Sequence, residues 1–447
     1  MSTSDDTGGR SAALAEKSDA ICRMGSLMLS AGTGSYRVKA AMGRVAAGLG
    51  IEQLEAQVSL NEIVATTREH GTFRTQVLEV PVPVVNADRI EELMRVSLRA
   101  ESGSTPAELG AELDAVEARR PLYPVPVVVA GAALACAAFA FLNNGRWQEC
   151  VAAGLGAGLG KLVQITLRRF RLNQLAIVAL AAATACVSYM LFATVLQWLP
   201  GAATPVHEAA FTSAMLFLVP GFPLLTAALD LARFDFTSGV SRLLYSAMIT
   251  LAAALGGWAV AWAFGLTPGE IELAALPAWL LFGLRLVASF AGVFGFAVTF
   301  NTPLRVALAA ATIGTVANLG RLGAVDAGWN PLLCAAAATT VVGLLAGWTS
   351  QRILSPRIIL SVPAVLIMIP GASTYRALVA MIDRDPLNAL TNGMTAIGIV
   401  VSLAAGLAIA RMVTDPAWIS TNPHWTRMPR TRAQQELGRR AGRRPEE

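Results

Sequence analysis

Two patterns divide this chain. Up to about residue 120, apolar positions recur at helix or strand spacing among many charges; beyond it they merge into runs of about 20 with few charges. In the first part the pattern predicts an amphipathic helix over Ala13–Ser30, a turn at Ala31-Gly-Thr-Gly-Ser35, and a helix over Tyr36–Leu49 stopped by Gly50. Alternating β-branched stretches predict strands at Leu54–Leu60, Glu62–Thr67 and Phe73–Val80, with Glu69-His70-Gly71 as a turn. A helix follows over Ala87–Ala100. Another opens at Thr105-Pro106-Ala107-Glu108, which reads as a capping box with proline at the first helical position, and runs to about Ala118.

The apolar runs yield ten candidate spans: Val125–Leu142, Glu149–Leu167, Gln174–Leu199, Ala209–Leu229, Leu243–Phe264, Ala275–Phe300, Leu304–Leu319, Pro331–Trp348, Ile358–Val379 and Leu390–Met412. Loop charge orients them. With the N-terminal part inside, the inside connections carry Arg119 and Arg120, then Arg168, Arg169 and Arg171, then Arg233 and Arg242, then Arg305, then Arg352 and Arg357, then an Arg-rich tail. The outside connections carry only Arg146, Arg321 and Arg384. A miscounted span would scramble this asymmetry, so the rule predicts an even number of spans with both termini cytoplasmic. The expected fold is a polytopic α-helical membrane protein of about ten transmembrane helices, built as two inverted five-helix repeats, with a small cytoplasmic N-terminal α/β domain. The expected boundaries are 1–120 for that domain, 121–270 and 271–412 for the two repeats, and 413–447 for a basic cytoplasmic tail.

The repeat rests on two Pro-Gly pairs, Pro220-Gly221 and Pro370-Gly371, which interrupt spans four and nine. Chance composition alone gives about two such pairs and the chain has four, so the dipeptide by itself proves little. Pro200-Gly201 and Pro268-Gly269 lie in polar breaks, where they are ordinary turn residues. The inner pairs fall at the same place in each set of five spans, near the midplane. An odd number of helices per repeat inverts the second copy, and broken helices in corresponding places point to a transporter binding site. Simple kinks relieved by packing are the competing reading.

Composition changes the picture only in emphasis. The chain is 54% hydrophobic and 15% charged, against about a quarter charged in soluble domains, and its mean hydropathy is +0.54. The polar, acidic start has no signal-peptide pattern. The five cysteines form no CxxC pair, and His70, His207 and His424 are far apart, so no metal site or cofactor is expected. Gly32-Thr33-Gly34-Ser35 lacks the lysine of a phosphate loop and does not follow a strand. A Ser35, His70, Asp88 triad has no support in spacing, and nothing in the chain calls for nucleic acid.

Charges within spans are costly and tend to be functional. Arg285 lies deep in span six, Arg376 lies just beyond Gly371, and Asp230 ends span four with Asp235 and Arg242 after it. Lys161 is better explained by snorkelling to the cytoplasmic face. Asn301, Asn318, Ser373, Thr374 and Tyr375 are weaker polar candidates. The expected substrate-binding set is Pro220, Gly221, Arg285, Pro370, Gly371, Tyr375 and Arg376, with Asp230 for proton coupling. A zwitterionic amino acid fits such a set: its carboxylate meets amides at a broken helix or an arginine, and its ammonium meets freed carbonyls or Asp230.

The segment Leu29-Ser-Ala-Gly32-Thr33-Gly34-Ser35-Tyr36-Arg37-Val38, with Met42, Val45 and Leu49-Gly50 after it, resembles the threonine/serine exporter family. So do Gly103-Ser-Thr-Pro-Ala-Glu108, Leu225-Thr-Ala-Ala-Leu-Asp230, the Arg233–Arg242 stretch, Arg285, and Ile369-Pro370-Gly371 with Tyr375-Arg376. The resemblance runs roughly from Leu14 to Met412 and rests on the ordered set. It implies a ten-span exporter of L-threonine and L-serine in the inner membrane, driven by the proton motive force. It also implies an N-terminal domain resembling hydrolases, for which these residues support no catalysis. Where the family has a leucine-glycine pair on span four, this chain has Pro220-Gly221. Export of another small metabolite or dipeptide, or a membrane enzyme or sensor, are the alternatives. Whether copies assemble as a homo-oligomer is left open.

Overall fold

The computed structural model describes residues 3–81, 83–196, 208–266, 276–382, 384–415 and 418. Pro200-Gly201, Pro268-Gly269, His207, His424, the expected end of span three at Leu199 and nearly all of the basic tail lie outside the described residues.

The N-terminal unit contains α1 (Thr3–Ser30), α2 (Ser35–Gly48), β1 (Gln53–Val58), β2 (Glu62–Glu69), β3 (Thr72–Glu79), α3 (Ala87–Ala100) and α4 (Pro106–Glu117). The strands form an antiparallel meander in the order β1-β2-β3. Its second hairpin closes through His70 and Gly71, both at positive φ (50° and 79°), as a two-residue hairpin loop requires. Ile63 and Ala65 of β2 are buried with Ile21, Met24 and Met28 of α1, Val38 and Met42 of α2, Leu93 of α3 and Leu113 of α4. The Thr105–Glu108 capping box forms as expected. Asn86 caps α3, its side chain accepting from the Arg89 amide at 3.1 Å.

The apolar part begins with α5 (Val125–Leu142), α6 (Trp147–Arg168) and α7 (Gln174–Leu196). Next come α8 (Glu208–Ala214), a 3₁₀ turn at Leu216–Leu218, α9 (Gly221–Leu231) and α10 (Phe236–Ala263). The second half runs α11 (Ala278–Thr299), α12 (Leu304–Asp326), α13 (Pro331–Ile353), α14 (Arg357–Leu366), α15 (Gly371–Ile382) and α16 (Pro386–Thr414). Among the described residues, eight of these helices are long and apolar enough to cross a membrane. The other two expected spans are the interrupted ones, α8–α9 and α14–α15. α12 runs past the expected end at Leu319 to Asp326, so Arg321 sits on a helix and not in a connection. Its Nε donates to Asn318 Oδ1 at 3.0 Å, and a long cationic side chain near a helix end can reach toward water.

Small residues let the helices approach closely, the main source of packing energy between helices in lipid. α5 crosses α11 at Gly131 and Gly295, where a Cβ on Gly295 would stand 2.4 Å from the Gly131 carbonyl oxygen. A Cβ on Gly256 of α10 would meet the Ala179 carbonyl at 2.3 Å, and one on Gly406 of α16 the Ala336 carbonyl at 2.2 Å. Trp147, Trp262, Trp279 and Trp329 stand exposed at helix ends, as residues of an interfacial belt do.

The N-terminal unit docks on a limited set of helix ends. The Ala87 amide donates to Phe300 O and the Asp88 amide to Asn301 O. Tyr123 Oη donates to Thr302 O at 2.8 Å. Buried Glu91 pairs with Arg305 and accepts from Ser355 Oγ at 3.1 Å. Every one of these ends belongs to a connection on the arginine-rich face.

Candidate functional site

Each interrupted helix is broken by the same backbone device. A 3₁₀-like turn comes first, with the Val219 amide donating to Leu216 O at 3.0 Å and the Ile369 amide to Leu366 O at 3.1 Å. The proline then turns the chain so tightly that the next glycine amide reaches back two residues: Gly221 to Val219 O at 2.8 Å, Gly371 to Ile369 O at 2.9 Å. Pro220 has φ −80° and ψ 58°, close to an inverse γ-turn. A new helix starts at once, with the Leu224 amide on Pro220 O and the Thr374 amide on Pro370 O. Proline removes the donor that a continuous helix would need, and glycine leaves no Cβ at the crossing.

The two breaks meet. A Cβ on Gly221 would lie 1.9 Å from Leu366 Cδ2 and 3.0 Å from Ile369 Cδ1, both just before Pro370. One on Gly371 would lie 3.3 Å from Leu216 Cδ1, just before Pro220. Leu216, Phe217, Val219, Leu366 and Ile369 line a small cavity of about 20 Å³ with Phe296, Thr299 and Phe300 of α11's end. So Pro220, Gly221, Pro370 and Gly371 lie together, with the N-termini of α9 and α15 facing each other's break. A helix N-terminus presents amides and a partial positive charge to an anionic group.

Tyr375 lies one turn into α15 and is buried; its ring is 5.8 Å from Phe211 of α8, which packs edge-on against Tyr189 of α7. Tyr189 Oη donates to Glu149 Oε1 at 3.4 Å, so the Tyr375 side of the break leads to a buried carboxylate at the start of α6. Arg376 is half-buried on the same helix. For Lys161 of α6 the sequence expectation is snorkelling to the cytoplasmic face. Its Nζ lies 5.9 Å from the Phe217 ring centroid and donates to Gln164 Oε1 at 2.9 Å. It is therefore a charge beside the first break. Glu149 is the residue that sequence reasoning gave no role; the signal for it is a lone carboxylate at the start of a Gly/Ala-rich helix.

Asp230 occupies a different place. It is 3% exposed at the end of α9, its carboxylate turned to the Gly34-Ser35 turn of the N-terminal unit. Its Oδ2 accepts from Ser238 Oγ at 2.9 Å and the Ser35 amide at 3.3 Å, with Arg242 Nε 3.4 Å away. Arg242, 1% exposed, also donates to Thr33 O at 2.9 Å. Asp235 accepts from Ser35 Oγ at 2.8 Å and Lys39 Nζ at 2.6 Å. Burial alone would raise the Asp235 carboxyl; the Lys39 hydrogen bond and charge, with Ser35 Oγ, outweigh it and hold it below the ordinary value. The glycine-rich turn is thus a docking element, and Ser35 is a cap on two carboxylates.

Arg285 is not at the breaks. It pairs with Asp326 at the end of α12, near a network in which Asn318 Nδ2 donates to Ser289 Oγ at 2.9 Å. Asn301, with φ 56°, stays on the docking face, where its Nδ2 donates to Asn86 Oδ1 at 2.9 Å. Among the described residues no cluster of histidine, cysteine or carboxylate side chains could hold a metal.

Comparison with known proteins assigns the chain. A family model described as "Putative threonine/serine exporter" matches residues 19–265, more than half of the chain, and a second, "Threonine/Serine exporter, ThrE", matches residues 285–413. The chain is 25% identical to the "Threonine/serine exporter" of Corynebacterium glutamicum over 88% of its length and 81% of that protein's. It is 23% identical to the "Probable threonine/serine exporter" of Mycobacterium tuberculosis over 89% of its length and 76% of that protein's. The "Probable succinate transporter subunit YjjP" of Escherichia coli is 27% identical over 54% of this chain and 93% of its own length. No solved structure matches. The family is one of transporters, not enzymes, and the chain belongs to it: the threonine/serine exporter family.

Proposed function

We propose that the chain is a secondary exporter that carries L-threonine and L-serine across the inner membrane, coupled to the proton motive force. The observation that carries this reading is the reciprocal contact of the two breaks: two helix N-termini begin in the interior, each seated on the residues that precede the other's proline. The substrate carboxylate would meet the first amides of α9 or α15, with Tyr375 and Arg376 on α15 and Lys161 beside the first break. The small cavity between them is too tight for an amino acid, so this conformation is closed around the site.

The same reading takes the membrane part as ten crossings in two inverted halves. It is supported by recurring features: helix starts at Trp147 and Leu304, Gln174 and Pro331, Gly221 and Gly371, Phe236 and Pro386, and positive φ at Phe234 and Arg384. The N-terminal unit would lie in the cytoplasm, since the helix ends that it contacts are those the charge rule assigns there. Asp230 is our coupling carboxylate. Protonating it would release Arg242 and the Ser35 amide, so coupling would run through docking of the N-terminal unit. Arg285 would bind no substrate directly in this conformation.

Counterflow of labelled threonine in proteoliposomes, with and without a pH gradient, tests the function. Exchange with threonine and serine, accelerated by the gradient, is expected. No exchange of either would end this reading. Asp230→Asn should abolish the gradient's effect while leaving exchange; an unaltered pH response would remove Asp230 from coupling. A dicarboxylate cargo is the second reading, favoured by the succinate transporter subunit matched over 54% of the chain and by Lys161 at the break. Succinate as competitor in the same assay decides between them.

A further inference from the structure

A cavity of about 430 Å³ lies under the N-terminal unit. Its walls come from both parts of the molecule: Ser30, Asn86 and Arg89 from the N-terminal unit, Tyr123 before α5, and Thr299 and Asn301 at the end of α11. The volume lies within the range of small-ligand sites. The polar groups are few and convergent. Arg89 comes from the first turn of α3, where its Nη2 donates to Glu117 O at 3.2 Å. The Asn86 and Asn301 amides are already hydrogen-bonded to each other across the junction.

Thr299 lines this cavity and also the small cavity between the breaks. Thr299, at the end of α11, is therefore a wall common to the two spaces. Beside it the Phe300 ring stands edge-on to Phe222 on the first turn of α9 at 5.9 Å. Phe222 follows Gly221 directly, so any movement of the first break moves this partition. The partition has a side toward the docking face and a side toward the midplane, as an inner gate does.

We propose that this cavity is the vestibule by which a zwitterionic amino acid reaches the central site from the face carrying the N-terminal unit. The Arg89 guanidinium receives the carboxylate, the Asn86–Asn301 pair receives the ammonium or hydroxyl, and Thr299–Phe300 with Phe222 forms the gate. The N-terminal unit is then one wall of the transport path. The inference rests on the transport reading above.

The experiment uses the full chain in proteoliposomes of defined orientation, with threonine exchange measured from each face. Arg89→Gln should raise KM on the face of the N-terminal unit about tenfold, the loss of one charge-assisted hydrogen bond, while KM on the other face and the maximal rate stay near wild type. Arg89→Lys should recover much of the loss. Val85→Cys, on the cavity wall, should be modified by a water-soluble thiol reagent, and threonine should slow that modification. An equal change in KM on both faces, or labelling of Val85→Cys indifferent to threonine, would overturn the vestibule. A wild-type protein that exchanges no threonine would instead sink the transport reading, and that result precedes every variant.

Discussion

At the scale of single residues, the buried pair Asp230–Arg242 sets the terms. Each charge is almost fully removed from water, and each is satisfied by the other and by the Thr33–Ser35 turn. Removing one partner leaves the other uncompensated, which typically costs about 3–5 kcal/mol, whereas replacing both by apolar residues is often close to neutral. Arg242→Leu should therefore lower the thermal midpoint sharply and deprotect the Ser35 amide in hydrogen exchange. The double variant with Asp230→Leu should recover most of the midpoint. A single variant as stable as the double would mean the pair is not buried as described. Asp235 makes a separate prediction. Its carboxyl is held low by Lys39 and Ser35, so its contribution is fully present above the ordinary carboxylate value and is lost only as pH falls through the depressed one. Acidifying from pH 8 to 6 should leave the Asp235 carboxylate charged on Lys39 and Ser35, read from its own carboxyl signal by NMR; its protonation should begin only below about pH 4. Sequence marked Ser35, Asp230, Asp235 and Arg242 separately. It could not show that they meet, since nearly 200 residues separate the turn from its partners and no local periodicity encodes such a contact.

At the scale of elements, the two breaks are equivalent in backbone and unequal in packing. A methyl group on Gly221 would run into the Cδ2 of buried Leu366, while one on Gly371 would need only a slight shift of Leu216. Gly221→Ala should thus slow counterflow and destabilise by about 1–3 kcal/mol, the usual cost of overpacking, and Gly371→Ala should be nearly silent. Leu366→Ala added to Gly221→Ala should restore part of the rate by making room. Equal effects of the two glycine variants, or no rescue, would show that the breaks do not pack reciprocally. The breaks were legible because proline and glycine leave a strong local mark in an apolar run. Their contact was not, because it depends on how α9 and α14 cross. Arg285 illustrates the opposite limit. Depth along a helix suggested a central charge, but rotation about the helix axis and the reach of Asp326 decide where its guanidinium goes.

At the scale of the whole molecule, the division between α10 and α11 is the feature with most consequence. The two family models meet there, one ending at residue 265 and the other starting at 285. A relative named as a transporter subunit matches over 93% of its own length but over only 54% of this chain. Hydropathy foretold the order of the helices, because apolar runs are written locally in composition. The way the halves interlock was not so written: α5 crosses α11 at Gly131 and Gly295, and α9 packs on α14, so each half supplies a wall that the other lacks. The halves should therefore be separable in sequence yet inseparable in function. Cutting the chain between residues 266 and 276 and producing both pieces together should give a complex that copurifies and exchanges threonine at a substantial fraction of the intact rate. Either piece alone should be inactive, since each leaves one break without its seat. Gly295→Leu in the second piece should prevent copurification, because its side chain would strike the Gly131 carbonyl at the crossing. Pieces that fold but never associate, or a first piece that transports alone, would show that one half contains the whole site and that the reciprocal contact of the breaks is not what carries the substrate.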